Sequence, residues 1–188
     1  MKKIITRLFK IYPLTKDAKT YLYEHTYRQE YKKRHKLIKP GETCRHVWYI
    51  EKGLIHSFEA ISRGRKICNW FMAENDIATS VVSFFTETAS EESIEALEDC
   101  VVWSMSRTDL YAGIKLHPSL LMLTFLIVVK YYCETRKMES LLKKKKPEEL
   151  YAHLVMHHPE IAERVPKVLW AAFLGVTETT FYKIIPKK

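Results

Sequence analysis

The residues with the most informative spacing lie near the C-terminal end of the sequence, in the segment 169–184. Ala171 is small enough to let two helices approach closely, and Gly175 permits a tight turn between them. Val176 can fill the angle between the helices, and Thr177 can cap the second one. A small residue, a glycine, an apolar residue and a capping residue at these offsets predict a helix-turn-helix.

The second helix of this predicted pair presents polar side chains outward, whereas Phe181 and Ile184 fall on its inner side. A helix in this position can enter the major groove of double-stranded DNA with its N-terminal residues at the base edges. The predicted DNA-binding residues are Thr177, Glu178, Thr179, Thr180, Tyr182 and Lys183. A purely structural helical corner has similar spacing, so the pattern alone leaves both interpretations open.

The cysteines do not form a metal-binding or disulfide pattern. They are widely spaced and include no Cys-x-x-Cys pair: Cys44, Cys68, Cys100 and Cys133. No apolar leader follows Met1, and the longest apolar run, 120–129, is well short of the roughly 20 residues that span a bilayer. We therefore expect free thiols in a cytoplasmic protein that has no membrane partner.

The histidines give little support to metal or catalytic chemistry. His153 and His157 have the i, i+4 spacing that can bind a metal, but no third ligand is evident. A cupin-like metal enzyme would need paired histidines in a barrel; His46 and His56 are the candidates, and Trp48 stands where a paired histidine would be. We expect a protein that is not an enzyme and holds no metal, with the cupin-like enzyme as a lesser alternative.

The 188 residues have a formal net charge of +9, which is unevenly distributed. Residues 1–39 contain twelve Lys/Arg and three Asp/Glu, residues 40–135 contain eight and thirteen, and residues 136–188 contain eleven and six. Because 47% of the residues are hydrophobic, the chain can form a core, which argues against intrinsic disorder. The basic C-terminal part is compatible with a phosphate backbone, although a solvated lysine-rich surface gives the same pattern.

The elements that must position these residues begin with a helix over 16–26, which Thr15 can cap. Period-two runs separated by turn residues then predict strands over 31–38, 47–51, 54–61, 66–72 and 100–106. Several short strands at roughly ten-residue spacing favour an antiparallel barrel of Greek-key or jelly-roll type. The predicted class is therefore α+β, with an N-terminal double-stranded β-helix (jelly-roll) barrel.

The helical period returns after residue 106. A short helix over 107–114 precedes a long one that Pro118 opens and that continues through the lysines at 143–146. The first half of the long helix is apolar on nearly every side, so we expect a second copy of the same helix to cover it. The predicted dimer seam is Leu116, Leu120, Leu123 and Ile127. The alternative is that the long helix is the central helix of a monomeric core. Short helices are predicted to follow it over 148–157, 159–164, 167–174 and 177–185.

This order of a β-barrel, a long apolar helix and a C-terminal helix-turn-helix resembles the Crp/Fnr family of bacterial transcription regulators. The segments that carry the likeness are 39–42 (Lys-Pro-Gly-Glu), 47–54, 70–77 and 174–177 (Leu-Gly-Val-Thr). The resemblance implies a homodimer whose two recognition helices enter successive major grooves, with RNA polymerase as a further partner. It also implies that Thr177 and Thr180 contact phosphates and that Lys183 reaches a base or a phosphate.

The sequence departs from the family at the ligand site. By resemblance, a cyclic nucleotide needs a Glu for its ribose and an Arg for its phosphate, but Ser80 stands near the first position and Ser90 and Glu91 near the second. A phosphate would meet Glu91 and Glu92 where it needs a guanidinium, so cyclic nucleotide binding in the usual manner is disfavoured. The candidate pocket for another small-molecule effector comprises Trp70, Ser80, Val81, Phe84, Ser90 and Glu91.

These expectations divide the chain into three parts. Residues 1–114 form a cyclic-nucleotide-binding-like β-roll, residues 115–146 a dimerisation helix, and residues 147–188 a short helix-turn-helix domain. Since the sequence ends at Lys188, we expect no β-wing after the recognition helix. The expected function is homodimeric, sequence-specific DNA binding that regulates transcription. The main alternative is an effector-binding or scaffolding β-roll protein that does not bind DNA.

Overall fold

The computed structural model describes residues 10–61 and 66–185. The first helix that the structure describes along its whole length, α1, spans Lys16–Glu24 and therefore ends two residues before the predicted limit. The Thr15 hydroxyl caps it by accepting a hydrogen bond from the Ala18 backbone N–H at 3.3 Å. Ala18 and Leu22 are its buried residues, one turn apart on a single face.

Eight strands follow within the described residues. They are β1 Tyr27–Tyr31, β2 Lys36–Ile38, β3 His46–Lys52, β4 Ile55–Ala60, β5 Lys66–Met72, β6 Ile77–Ala78, β7 Ser93–Ala96 and β8 Cys100–Ser106. They form two antiparallel four-stranded sheets with strand orders β1-β8-β3-β6 and β2-β7-β4-β5. The sheets enclose an apolar core that includes Trp48, Ile50, Ile55, Phe84 and Val102. The predicted α+β class with a jelly-roll β-roll is confirmed.

The single strand predicted over 31–38 is wrong. The chain turns there, with Arg34 at a φ of 70°, so that β1 pairs with β8 in one sheet and β2 pairs with β7 in the other. The short strands β6 and β7 and the helix α2, Val81–Thr86, were not predicted from the sequence. These three elements are two to six residues long, too short for a periodic pattern to identify.

Two helices connect the β-roll to the C-terminal part. The first, α3, spans Arg107–Leu116 and is capped by Ser106, and the long helix α4 spans Pro118–Lys144. The prediction that Pro118 opens a long helix is confirmed, because its missing N–H costs nothing at the first position. None of the helices in the described part of the chain is long and apolar enough to cross a membrane.

The predicted dimer seam on α4 needs correction. Leu120 and Leu123 are only 2% and 4% exposed, because they pack against α1 and Met105 of their own chain, and Ile127 is partly buried in the same cluster. Leu116, just before α4, is exposed. The seam therefore faces inward at its centre, and a different face of α4 is free: Leu121, Met122, Phe125, Val128, Val129 and Tyr132.

Four short helices complete the fold and form what we call the C-terminal module. They are α5 Pro147–His157, α6 Pro159–Ala162, α7 Lys167–Phe173 and α8 Glu178–Ile184. Their apolar residues share one cluster with Leu54, Cys68, Phe71 and Ala73 of the β-roll. The module is thus packed directly on the second sheet, with α7 against β5.

Candidate nucleic-acid interface and ligand pockets

A tight turn sets the angle between α7 and α8. Gly175 has a φ of +68°, and a Cβ there would meet nothing within 4 Å, so the backbone conformation rather than lack of space favours glycine. The Val176 N–H donates to the Ala171 carbonyl at 3.0 Å across the turn. The Thr177 hydroxyl caps α8 by accepting from the Thr180 N–H at 3.1 Å.

The inner side of α8 is fixed by Phe181, which is fully buried and packs edge-on against Tyr151 at 5.1 Å between ring centroids. This contact orients the opposite side of the helix toward solvent. All six predicted DNA-binding residues are exposed: Thr177, Glu178, Thr179, Thr180, Tyr182 and Lys183. The structure thus places the set on one accessible surface around α8, which we call the α8 surface.

Lys167 was missed by the sequence analysis and lies beside this surface. Its ammonium is 5.2 Å from the centroid of the Tyr182 ring, a cation–π distance. The Tyr182 ring therefore links α7 to α8, and Lys167 adds a cation next to the α8 surface. Only the contact between two helices identifies it, because nothing in the local sequence around Lys167 distinguishes it from other surface lysines.

A joint of buried aromatic rings and one arginine holds the C-terminal module on the β-roll. The Phe71 ring centroid lies 5.1 Å from that of Trp170 and 5.5 Å from that of Phe173. Arg164 donates to both oxygens of Glu74 at 2.8 and 3.0 Å, and to both oxygens of Glu98 at 2.9 and 2.8 Å. This double bidentate contact connects the loop after α6 to two turns of the β-roll.

The contacts of this joint shift the pKa values of Glu74 and Arg164. Burial alone would raise the pKa of Glu74, but the hydrogen bonds from Arg164 and the Gly53 N–H outweigh it and hold that pKa below its usual value. The two carboxylates, Glu98 first, raise the pKa of Arg164. The folded chain therefore favours the ionised forms of Glu74 and Arg164.

The predicted effector-pocket residues are only partly brought together. The Ser80 and Ser90 hydroxyls lie 3.0 Å apart and are buried, and Phe84 is buried in the β-roll core. Val81 and Glu91 are instead exposed on the outer surface. Trp70 lines a different cavity, so the six residues do not enclose a single pocket.

A cleft lies where the β-roll, α4 and the C-terminal module meet, and we call it the joint cleft. It has a volume of about 880 Å³ and is lined by residues of the segment 70–76, of α4 between Lys130 and Leu141, and of α5, α6 and α7. Sequence analysis could not find it, because these segments are distant in the chain and each contributes only a few side chains.

The histidines do not assemble a metal centre in the described residues, where no group of three or more His, Cys, Asp or Glu could hold an ion. His153 and His157 are adjacent on α5, with ring centroids 4.3 Å apart. His56 is buried beside the Phe58 ring, and burial lowers its pKa to about 4, so it is a neutral core residue near neutral pH. His46 is partly stacked on Trp48 rather than on another histidine.

The comparisons with known proteins agree with this architecture. Residues 28–117 match the family described as Cyclic nucleotide-binding domain. FixK2 from Bradyrhizobium japonicum has a TM-score of 0.74 at 16% identity, with 85% of this chain and 82% of that one covered. The c-di-GMP responsive global regulator CLP of Xanthomonas campestris has a TM-score of 0.72 at 14% identity, with 90% of this chain and 89% of that one covered.

A protein from Eubacterium rectale that is assigned to the Crp/Fnr family matches with a TM-score of 0.71 at 15% identity, covering 93% of this chain and 85% of that one. No curated protein sequence matches the chain. The fold thus resembles that of these proteins, and the β-roll segment that matches the cyclic nucleotide-binding domain spans just under half of the chain. The resemblance drawn from the sequence is confirmed.

Proposed function

We propose that this protein is a homodimeric, sequence-specific DNA-binding regulator of transcription. The observation that carries the proposal is the α8 surface, where a capped helix presents six predicted contact residues to solvent. Its hydroxyl groups can bind phosphates, and its N-terminal side chains can reach base edges in a major groove. In this proposal Thr177 and Thr180 contact phosphates, and Lys183 reaches a base or a phosphate.

The exposed apolar face of α4 supports the dimeric part of the proposal. Leu121, Phe125, Val128 and Tyr132 follow one another at spacings of four, three and four, as in the seam of a coiled coil. Phe125 is 57% and Tyr132 65% exposed in the single chain, which is a large apolar surface to leave in water. A second copy of α4 would bury it and would supply the two-fold symmetry of a palindromic site.

The remaining parts of the proposal follow the relatives. The chain would divide into a sensor (1–114), a dimerisation helix (115–146) and a DNA-binding domain (147–188), with RNA polymerase as a partner. CLP is described as responsive to c-di-GMP, and by this likeness we propose a small-molecule effector here as well. Glu91 and Glu92 on the β-roll argue against a cyclic nucleotide held in the usual manner.

Selection of bound sequences from random DNA duplexes tests the proposal. We expect enrichment of a motif with two half-sites about 34 Å apart, one turn of DNA, because each copy contributes one α8 helix. Thr180→Ala should weaken binding of the enriched sequence about tenfold through loss of a phosphate contact. Thr108→Ala, at an exposed threonine of α3, should leave binding unchanged. If no motif is enriched at moderate salt, a β-roll protein without DNA binding becomes the better interpretation.

A further inference from the structure

We infer that the joint cleft binds a planar aromatic molecule that carries a negatively charged group. This site is separate from Ser80 and Ser90 in the β-roll, and it goes beyond the proposed DNA binding. Its occupancy can be measured without DNA, so the two proposals can fail independently. The volume of about 880 Å³ is within the range of roughly 300–1,000 Å³ that is typical of small-molecule sites.

The aromatic part of the inference rests on the side chains that line the cleft. Trp70 and Tyr131 are partly exposed in it, and the more deeply buried lining residues include Phe71, Trp170 and Phe173. The Tyr131 hydroxyl accepts from the Ile77 N–H at 2.8 Å, which fixes its ring before any ligand arrives. Rings held in place by the fold lose little entropy when a flat ligand packs against them.

The acidic residues of the cleft are already occupied by partners within the protein. The contacts are Arg164 with Glu74 at 2.8 Å, the Ala73 N–H with Asp76 at 3.0 Å, Lys130 with Glu134 at 3.7 Å and His158 with Glu160 at 3.7 Å. The Tyr131 hydroxyl also donates to Asp76 at 3.4 Å. Each acid of the cleft therefore has a donor within the protein, which reduces its attraction for a cationic ligand.

Three basic residues of the cleft have no hydrogen-bond or ion-pair partner in the described part of the chain. They are Lys137 on α4 and His153 and His157 on α5. His153 and His157 lie one turn apart on α5 with ring centroids 4.3 Å apart, and their ring N–H groups, like the Lys137 ammonium, are donors that the fold leaves free. An anionic group bound in the cleft would use these donors.

Binding of 1-naphthyl phosphate to the full chain tests the inference, because this probe combines a flat ring with an anion. We expect binding by calorimetry at least tenfold tighter than for 1-naphthol, which lacks the charge, and for inorganic phosphate, which lacks the ring. Quenching of tryptophan fluorescence should accompany it, since Trp70 and Trp170 line the cleft.

Substitutions in the cleft test whether 1-naphthyl phosphate binds there. The double change Lys137→Ala and His157→Ala should weaken binding at least tenfold, because both side chains are exposed donors outside the buried core. Lys143→Ala, at an exposed lysine of α4 outside the cleft, is the matched control and should have no effect. Absence of binding, equal binding of 1-naphthol, or binding that the double variant leaves unchanged would each overturn the inference.

Discussion

Arg164 joins the C-terminal module to the β-roll through four hydrogen bonds. It satisfies two carboxylates from separate turns, and its side chain is 27% exposed, so solvent screens the pair only in part. Removing one partner of such a cluster leaves like charges close together without compensation. The guanidinium therefore contributes both to stability and to the orientation of the module.

Arg164→Met should lower the free energy of unfolding by about 1 kcal/mol at pH 7, a value reduced for partial exposure. The folded pKa of Glu74 is lowered, so its contribution is present above its unfolded pKa of about 4.5 and is lost as pH falls through the folded value. Urea unfolding at pH 7 and pH 3 should thus show a smaller loss on acidification for Arg164→Met than for the natural sequence. Arg136→Met, which breaks the exposed pair with Glu139, is the control. It should change neither the free energy of unfolding at pH 7 nor its loss on acidification appreciably. Equal losses for the natural sequence and Arg164→Met would contradict the assignment.

At the scale of elements, the sequence predicted what local signals encode. Thr15 and Thr177 cap helices as expected, Pro118 begins the long helix, and the strand over 66–72 has the predicted limits. It could not predict which side of α4 faces inward, because a helix that is apolar all round has no directional pattern. The packing of α1 and Met105 decides that side, and the joint cleft likewise exists only after distant elements meet.

The two faces of α4 should respond differently to substitution. Val128→Glu places a charge on the free apolar face and should convert a dimer into a monomer whose own fold is unchanged. Leu123→Ala opens a cavity against α1 instead and should cost about 2–5 kcal/mol of stability. Sedimentation equilibrium measures the first effect and urea unfolding the second. A Val128→Glu protein that remains dimeric would place the interface elsewhere.

Over the whole molecule, the β-roll and the α8 surface differ in their balance of acidic and basic residues. Residues 40–135, which include most of the β-roll, carry more acidic than basic residues, whereas the α8 surface contains Lys183 with Lys167 beside it. Because the module is anchored to the β-roll through Arg164 and Phe71, a change at that joint would be transmitted to the orientation of α8. The joint cleft lies at this contact, so a molecule bound there would lie beside the elements that anchor the α8 surface.

The dependence of DNA binding on salt tests this distribution of charge. The logarithm of the binding constant should fall linearly with the logarithm of salt concentration, since neutralised phosphates release their counterions. If Lys183 contacts one phosphate in each half-site, Lys183→Ala in both copies of the dimer should reduce the magnitude of this salt slope by about 2. The loss of DNA affinity should be the same for every DNA sequence. Lys115→Ala, at an exposed lysine of α3, should leave the slope unchanged. An unchanged slope with altered sequence preference would instead assign Lys183 to a base, whereas an unchanged slope and affinity would remove it from the interface.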